Sequence, residues 1–262
     1  MTLEWTNSIA GFGVGLLVGL TGVGGGSLMT PIMVLLFGVA PSTAVGTDLW
    51  FAAITKMVGG FVHGKKGSVD WQVLRRMFYG SIPAALATLL WLHLSGADKS
   101  HSTLMMRTLG GVLILTSVAS VFRSRFHAWG ERVRAGRPIE FKSLQPVLTV
   151  VAGAILGFLV TFTSIGAGAL GAVMLLYLYP RRMSPVTLVG TDIVHAIPLT
   201  LLAGTGHLLL GNVNVSMLGA LLIGSIPGIV LGSFGSHLAP EKVTRTLIAL
   251  ILVVVGLKMM AF

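Results

Sequence analysis

The sequence predicts an all-α polytopic membrane protein built from two pseudo-symmetric repeats, each a broken helical hairpin followed by three transmembrane helices. Three observations carry this expectation. Of the 262 residues, 54% are hydrophobic and 10% are charged, where a water-soluble domain carries roughly a quarter charged residues. Apolar runs of about 20 residues, each enough to cross ~30 Å of hydrocarbon, recur from end to end. The chain also repeats itself, glycine for glycine, about halfway along.

The first apolar stretch covers residues 7–38, and its counterpart covers 146–179. A continuous helix of ~32 residues would be about 48 Å long, too long for one upright crossing. Each stretch is interrupted near its middle by small residues: Thr21-Gly22-Val23-Gly24-Gly25-Gly26-Ser27 in the first, and Thr163-Ser164-Ile165-Gly166-Ala167-Gly168-Ala169 in the second. Glycine costs ~1 kcal/mol per helix position relative to alanine. Two shorter helices joined by irregular backbone therefore fit each stretch better. After each interrupted stretch come three uninterrupted runs: 43–63, 72–93 and 104–122, then 185–208, 215–237 and 243–261. The expected units are a first membrane repeat over 1–122, a basic linker over 123–145 and a second repeat over 146–262.

The repeat is legible residue by residue. A shift of 142 puts Gly15 on Gly157, Thr21 on Thr163, Gly24 on Gly166, Gly26 on Gly168 and Leu28 on Leu170. A shift of 144 puts Val45-Gly46-Thr47-Asp48 on Val189-Gly190-Thr191-Asp192, and Gly80-Ser81-Ile82-Pro83 on Gly224-Ser225-Ile226-Pro227.

The formal net charge of +10 does not point to nucleic acid. Lysine and arginine lie almost wholly in short gaps between apolar runs, as in the loops of membrane proteins. The densest cluster is Arg123, Arg125, Arg132, Arg134, Arg137 and Lys142, which reads as a topology-setting cytoplasmic loop in contact with anionic lipid. If each interrupted stretch enters the membrane and returns to the same side, 14 lysines and arginines collect on one side against 3 opposite. If each crosses once, the split is 11 against 6, a weak asymmetry. The positive-inside rule thus prefers hairpins. The two halves would then be inverted relative to each other, with both termini outside. No basic residue precedes Lys56, which speaks against a cleaved signal peptide. The chain has no cysteine, so disulfide, thiolate-metal and thiol redox chemistry are excluded. No cofactor, metal or nucleic acid is expected.

Inverted repeats with broken helices are a recurring transporter design. The breaks place helix N-termini and free backbone N–H groups near the midplane, where they hold an anion. Thr21, Gly22, Gly24, Gly25, Gly26 and Ser27 are the first candidate lining. Thr163, Ser164, Gly166 and Gly168 are the pseudo-symmetric second, and the two meet in one site between the halves. The competing reading of such glycines is close packing of transmembrane helices. Lys56 lies near the middle of the 43–63 run, where an ammonium costs about 2.5–3.5 kcal/mol. It either attracts the anion or pairs with Asp48 two turns earlier on its own helix. Asp48 and Asp192 either stabilise helix N-termini or carry a coupling proton or sodium. His195 shares a helical face with Asp192.

Through Gly22-Val23-Gly24-Gly25-Gly26-Ser27-Leu28-Met29-Thr30-Pro31, then Ala44-Val45-Gly46-Thr47-Asp48, the chain resembles the sulfite exporter TauE/SafE-like family. The second half repeats the pattern through Ser164-Ile165-Gly166-Ala167-Gly168 and Val189-Gly190-Thr191-Asp192. The resemblance implies a multi-pass carrier of the bacterial-type plasma membrane that moves sulfite, sulfonates or related organic anions. The glycine-rich segments would line its path. One departure is that Val173 stands where the first half has Pro31. The expected function is secondary transport of a small anion by alternating access. A passive anion channel is one alternative. An intramembrane hydrolase using Ser164 with His195 is the other, although no Gly-x-Ser-x-Gly elbow or His-Glu-x-x-His pattern occurs.

Overall fold

The computed structural model describes residues 5–21, 26–63, 69–95, 99–136, 138–235 and 241–261. Among them are eleven helices: α1 (Trp5–Thr21), α2 (Gly26–Leu35), α3 (Pro41–His63), α4 (Trp71–Ser95), α5 (Lys99–Val121), α6 (Arg123–Gly136), α7 (Pro138–Thr163), α8 (Ala169–Leu178), α9 (Pro185–Leu209), α10 (Val215–Gly235) and α11 (Glu241–Met260). No strand occurs among the described residues. The segments Trp71–Ser95, Ser102–Val121, Glu140–Thr163, Pro185–Leu209 and Val215–Phe234 are each long and apolar enough to cross a bilayer. The protein is a polytopic membrane protein, as its composition predicts.

Exposure follows the same logic. Helix α7 turns Val147, Val151, Ile155 and Phe158 outward while burying Ala152, Leu156 and Val160. A helix with an apolar stripe on its open face as well as its packed face suits lipid on that side. Helices α2 and α8 have 10 residues each, about 15 Å, roughly half a bilayer.

The stretch 123–145, read as a basic linker between the repeats, has helix in its described residues: α6 occupies 123–136, and Pro138 opens α7. Arg, Ala and Glu are good helix formers, and proline is favoured at a first helical turn. The first arm of the second hairpin is consequently longer than the apolar pattern suggested.

Packing partners exchange between the halves. Helix α1 lies on α10 and α7 lies on α4, while α3 packs on α9 and α5 on α11. In the α1–α10 pair, a Cβ on Gly15 would collide with the Ser225 carbonyl; in the α7–α4 pair, a Cβ on Gly157 would collide with the Ser81 carbonyl. Both glycine and serine are repeat mates of their counterparts. These two glycines therefore serve close helix approach, the packing alternative of the sequence reading.

Contact registers fix relative directions. On α3 and α9, Gly46 faces His207, Trp50 faces Gly204 and Lys56 faces Asp192. Numbers rise on one helix as they fall on the other, so the pair is antiparallel. In the same sense, Gly110 meets Gly256, and Ser117 Oγ donates to the Ala249 carbonyl at 2.8 Å, so α5 and α11 are antiparallel too.

The repeated Val-Gly-Thr-Asp motif ties helices across the halves. Asp70 precedes α4 and accepts from Val73 N–H at 3.2 Å, capping it, while its own N–H donates to Thr191 Oγ1 at 3.0 Å. Asn214 does the same for α10, accepting from Met217 N–H at 3.0 Å and donating its N–H to Thr47 Oγ1 at 3.0 Å. Orphan helix donors are thereby satisfied at both ends of the bundle. At the α4 end, Asp70 also pairs with Arg182. Arg76 donates to Tyr179 Oη at 3.1 Å, and His127 Nε2 donates to the Pro180 carbonyl at 2.9 Å. The start of α4, the 180–182 turn and α6 thus share one end.

Candidate functional site

The second interruption is present where the sequence places it. Helix α7 stops at Thr163, and α8 starts at Ala169. Between them Ser164, Gly166 and Gly168 have φ of 59°, 121° and 123°. Glycine takes such angles freely; Ser164 does not, and a non-glycine residue at positive φ marks strain held by its surroundings. Thr163 Oγ1 donates to the Leu159 carbonyl at 2.6 Å and accepts from Ile165 N–H at 3.2 Å. Its hydroxyl is committed to the turn rather than to the space beyond it. Helix α8 begins without a side-chain cap, so its first amides rely on whatever lies in front of them.

What lies in front is contributed by both halves. Lys56, on α3 of the first half, is 8% exposed. Its Nζ donates to the Ala167 carbonyl at 3.4 Å and stands 4.0 Å from Asp192 Oδ2 on α9. The Gly168 amide faces the same carboxylate. Asp192 Oδ1 has no hydrogen-bond partner and occupies room left by Gly171, where a Cβ would come within 2.7 Å of it. Of the two roles open to Lys56, pairing with Asp48 on its own helix gives way to a cross-half pair with Asp192. Asp192 is not a cap of its own helix. That position belongs to Ser184, which accepts from Thr187 N–H at 3.1 Å. The carboxylate instead stands at the N-terminus of α8, where negative charge is favoured.

Asp48 is fully buried and sits at a different corner of the same turn. Thr30 Oγ1 on α2 donates to its Oδ2 at 2.5 Å. The Ser164 hydroxyl lies against the carboxyl, yet Asp48 Oδ1 and Ser164 Oγ both lack a completed hydrogen bond. His195, fully buried, shares a 2.9 Å hydrogen bond between Nε2 and Ser81 Oγ on α4, and its Nδ1 has no partner. Phe78 stacks obliquely on its ring, with centroids 5.2 Å apart. His195 is therefore bonded to Ser81 and not to Ser164, the arrangement a nucleophile with its base would need.

The structure thus gathers Asp48, Lys56, Ser164, Gly166, Gly168 and Asp192 around one turn, while His195, three residues beyond Asp192 on α9, is bonded to α4 instead. Of the first interruption, Gly22, Gly24 and Gly25 lie outside the described residues. Thr21 ends α1 and Gly26 begins α2, followed by Ser27. Sequence reasoning missed Thr30 and Ser81. Both lie in matched motifs, beside Pro31 and within the repeated Gly-Ser-Ile-Pro, where a hydroxyl could have been marked. Buried polar groups so placed hold a fixed field inside a low-dielectric interior.

Residues 8–259 match the family profile for sulfite exporter TauE/SafE. The chain is 38% identical over 259 residues to the probable membrane transporter protein YjnA of Bacillus subtilis, covering 96% of this chain and 97% of that one. It is 26% identical over 250 residues to the probable membrane transporter protein YdhB of the same organism, at 94% and 96% coverage. A probable membrane transporter protein of Methanocaldococcus jannaschii is 26% identical over 271 residues, at 96% and 93% coverage. No solved structure matches the chain significantly.

Proposed function

This chain belongs to the sulfite exporter TauE/SafE family of membrane transporters, and from that premise we propose that it is a secondary carrier of a small anion working by alternating access. The cargo class is sulfite, a sulfonate or a related organic anion, and the site of action is a bacterial-type plasma membrane. The observation that carries this reading is the cross-half pair of Lys56 and Asp192 seated on the broken turn of the second half.

A buried ion pair is seldom a net stabiliser, because both charges lose their hydration. Its value here lies in being exchangeable. An incoming oxyanion takes the place of the Asp192 carboxylate beside Lys56 and accepts from the Gly168 amide and the Ser164 hydroxyl. Three acceptor oxygens on a sulfite or sulfonate suit an ammonium, an amide and a hydroxyl converging from different directions. Gly166 shapes the near wall in this reading, and the repeat pattern alone assigns Thr21, Gly22, Gly24, Gly25, Gly26 and Ser27 as its first-half counterpart.

Alternating access needs two states of similar energy, and an inverted repeat supplies them by exchanging the conformations of its halves. The antiparallel registers of α3 with α9 and of α5 with α11, repeat mates in each case, support inversion. The gathering of Asp70, Arg182 and α6 at one end supports placing the basic connections together on the cytoplasmic side.

The test is flux of labelled sulfite and methanesulfonate in proteoliposomes holding the purified full chain. Saturable uptake that unlabelled sulfite suppresses is expected. Lys56→Gln should lower it at least tenfold without a matching loss of folded protein. Uptake rising linearly with concentration, together with single-channel currents, would make the protein a channel. Full flux in Lys56→Gln would remove the proposed site.

A further inference from the structure

Two carboxyl groups stand at matched positions of the repeat, and among the described residues only one of them meets a cation. We infer that Asp48 is a proton-binding site that couples anion movement to a proton gradient, a role that rests on the carrier reading above but uses a different group from the anion pair.

The surroundings of Asp48 select its ligand. The side chain is fully buried, and the elements packed around it are poor in charge. Helices α1, α2 and α10 carry no titratable side chain among the described residues, and neither does the 143–168 segment of α7 and its turn. Helix α5 offers Arg107, which is exposed. On α3 itself, Lys56 is engaged by Asp192 and the Ala167 carbonyl. On α9, Asp192 is that partner, and His195 is bonded to Ser81. His207, beside Gly46, donates from Nε2 to the Thr161 carbonyl at 2.9 Å. Among the described residues, no free cation therefore neutralises an ionised Asp48. An unpaired charge at membrane depth is costly, whereas a carboxylic acid needs only hydrogen-bond partners.

Those partners are present. Thr30 already donates to Oδ2. The Ser164 hydroxyl lies against the same carboxyl, and Asp48 Oδ1 and Ser164 Oγ are the two atoms there left without a partner. A proton on Oδ1 makes that oxygen a donor and gives Ser164 Oγ something to accept, so one proton satisfies both atoms. A metal cation would need several more oxygen ligands than this corner provides.

The same geometry says how the proton is felt at the anion site. Ser164 opens the unwound turn, and Ala167 and Gly168 close it against Lys56 and Asp192. Loss of the proton changes what Ser164 must do, at positive φ, and so strains the segment that holds the anion pair. One proton bound, one anion exchanged: the charges of the cargo and of the coupling ion then move through neighbouring corners of a single turn.

Sulfite transport in proteoliposomes separates the two roles. With Asp48→Asn, a permanently neutral side chain, exchange of labelled for unlabelled sulfite at equal pH should persist within about twofold. Accumulation driven by an imposed pH difference should fall at least tenfold. Asp48→Glu, which can still bind a proton, should recover much of the pH-driven accumulation, excluding simple misfolding. Retained pH-driven accumulation in Asp48→Asn would overturn the assignment. So would loss of exchange together with accumulation in both variants, or wild-type accumulation driven by sodium and indifferent to pH. Absence of any sulfite or methanesulfonate flux in the wild type would instead fell the carrier reading from which this one starts.

Discussion

Asp48 and Asp192 occupy the same place in two copies of one motif, and the fold treats them differently. Asp192 lies 4.0 Å from the Lys56 ammonium and in front of the Gly168 amide. Asp48 lies among hydroxyls, with Thr30 at 2.5 Å and Ser164 against it. The difference arises from single substitutions between the halves. Lys56 has Thr200 as its mate, and Thr200 turns its hydroxyl back to the Ala196 carbonyl at 2.8 Å. Thr30 has Ala172 as its mate, and His195 has Phe51. A symmetric scaffold thus carries an asymmetric set of charges.

The sharpest way to break this comparison is to remove the cation. Lys56→Met leaves Asp192 buried and unpaired, and breaking such a pair costs about 3–5 kcal/mol. The double variant Lys56→Met/Asp192→Asn should regain most of that loss. Asp48→Asn, which removes no ion pair, should change stability by only about 1 kcal/mol. Denaturant unfolding of the detergent-solubilised protein measures all three. Equal losses in Lys56→Met and Asp48→Asn would mean that the two corners do not differ in charge balance.

A smaller effect probes the symmetric scaffold. Gly15→Val and Gly157→Val each push a side chain into the backbone of a partner helix, and overpacking of this kind costs about 1–3 kcal/mol. The two variants should be destabilised alike in thermal melts. Loss in one half alone would show that the twin interfaces are not equivalent.

Smallest of all, Thr47→Val and Thr191→Val each leave the backbone N–H of a helix cap, Asn214 or Asp70, without its acceptor. About 1 kcal/mol each is expected. The effect should be local, appearing as faster amide hydrogen exchange at the start of α10 for Thr47→Val and of α4 for Thr191→Val. The opposite assignment would contradict the cross-half tie.

Much of this was legible beforehand because membrane proteins write their constraints in one dimension. Lipid cannot hydrogen-bond the backbone, so crossings must be long apolar helices, and glycine breaks stand out against them. The break at Thr163–Ala169 followed directly. The helical character of 123–136 did not, because its charge pattern signals an interface more strongly than it signals backbone conformation. Gly15 and Gly157 were found as a repeat pair, but their use in packing needed Ser225 and Ser81 brought alongside. Thr30 and Ser81 escaped notice because a hydroxyl within an apolar helix commonly bonds its own backbone, and nothing local distinguishes one that reaches another helix.

The sequence by itself determined that the chain lives in a membrane, that its two halves share a repeated sequence pattern, and that glycines interrupt an apolar run in each. Those features depend on composition and on order along the chain. Which charges meet was decided only by tertiary structure. Periodicity placed Lys56 two turns from Asp48 on one helix, but electrostatic energy depends on distance through space, and packing α3 antiparallel to α9 delivered it to Asp192 instead.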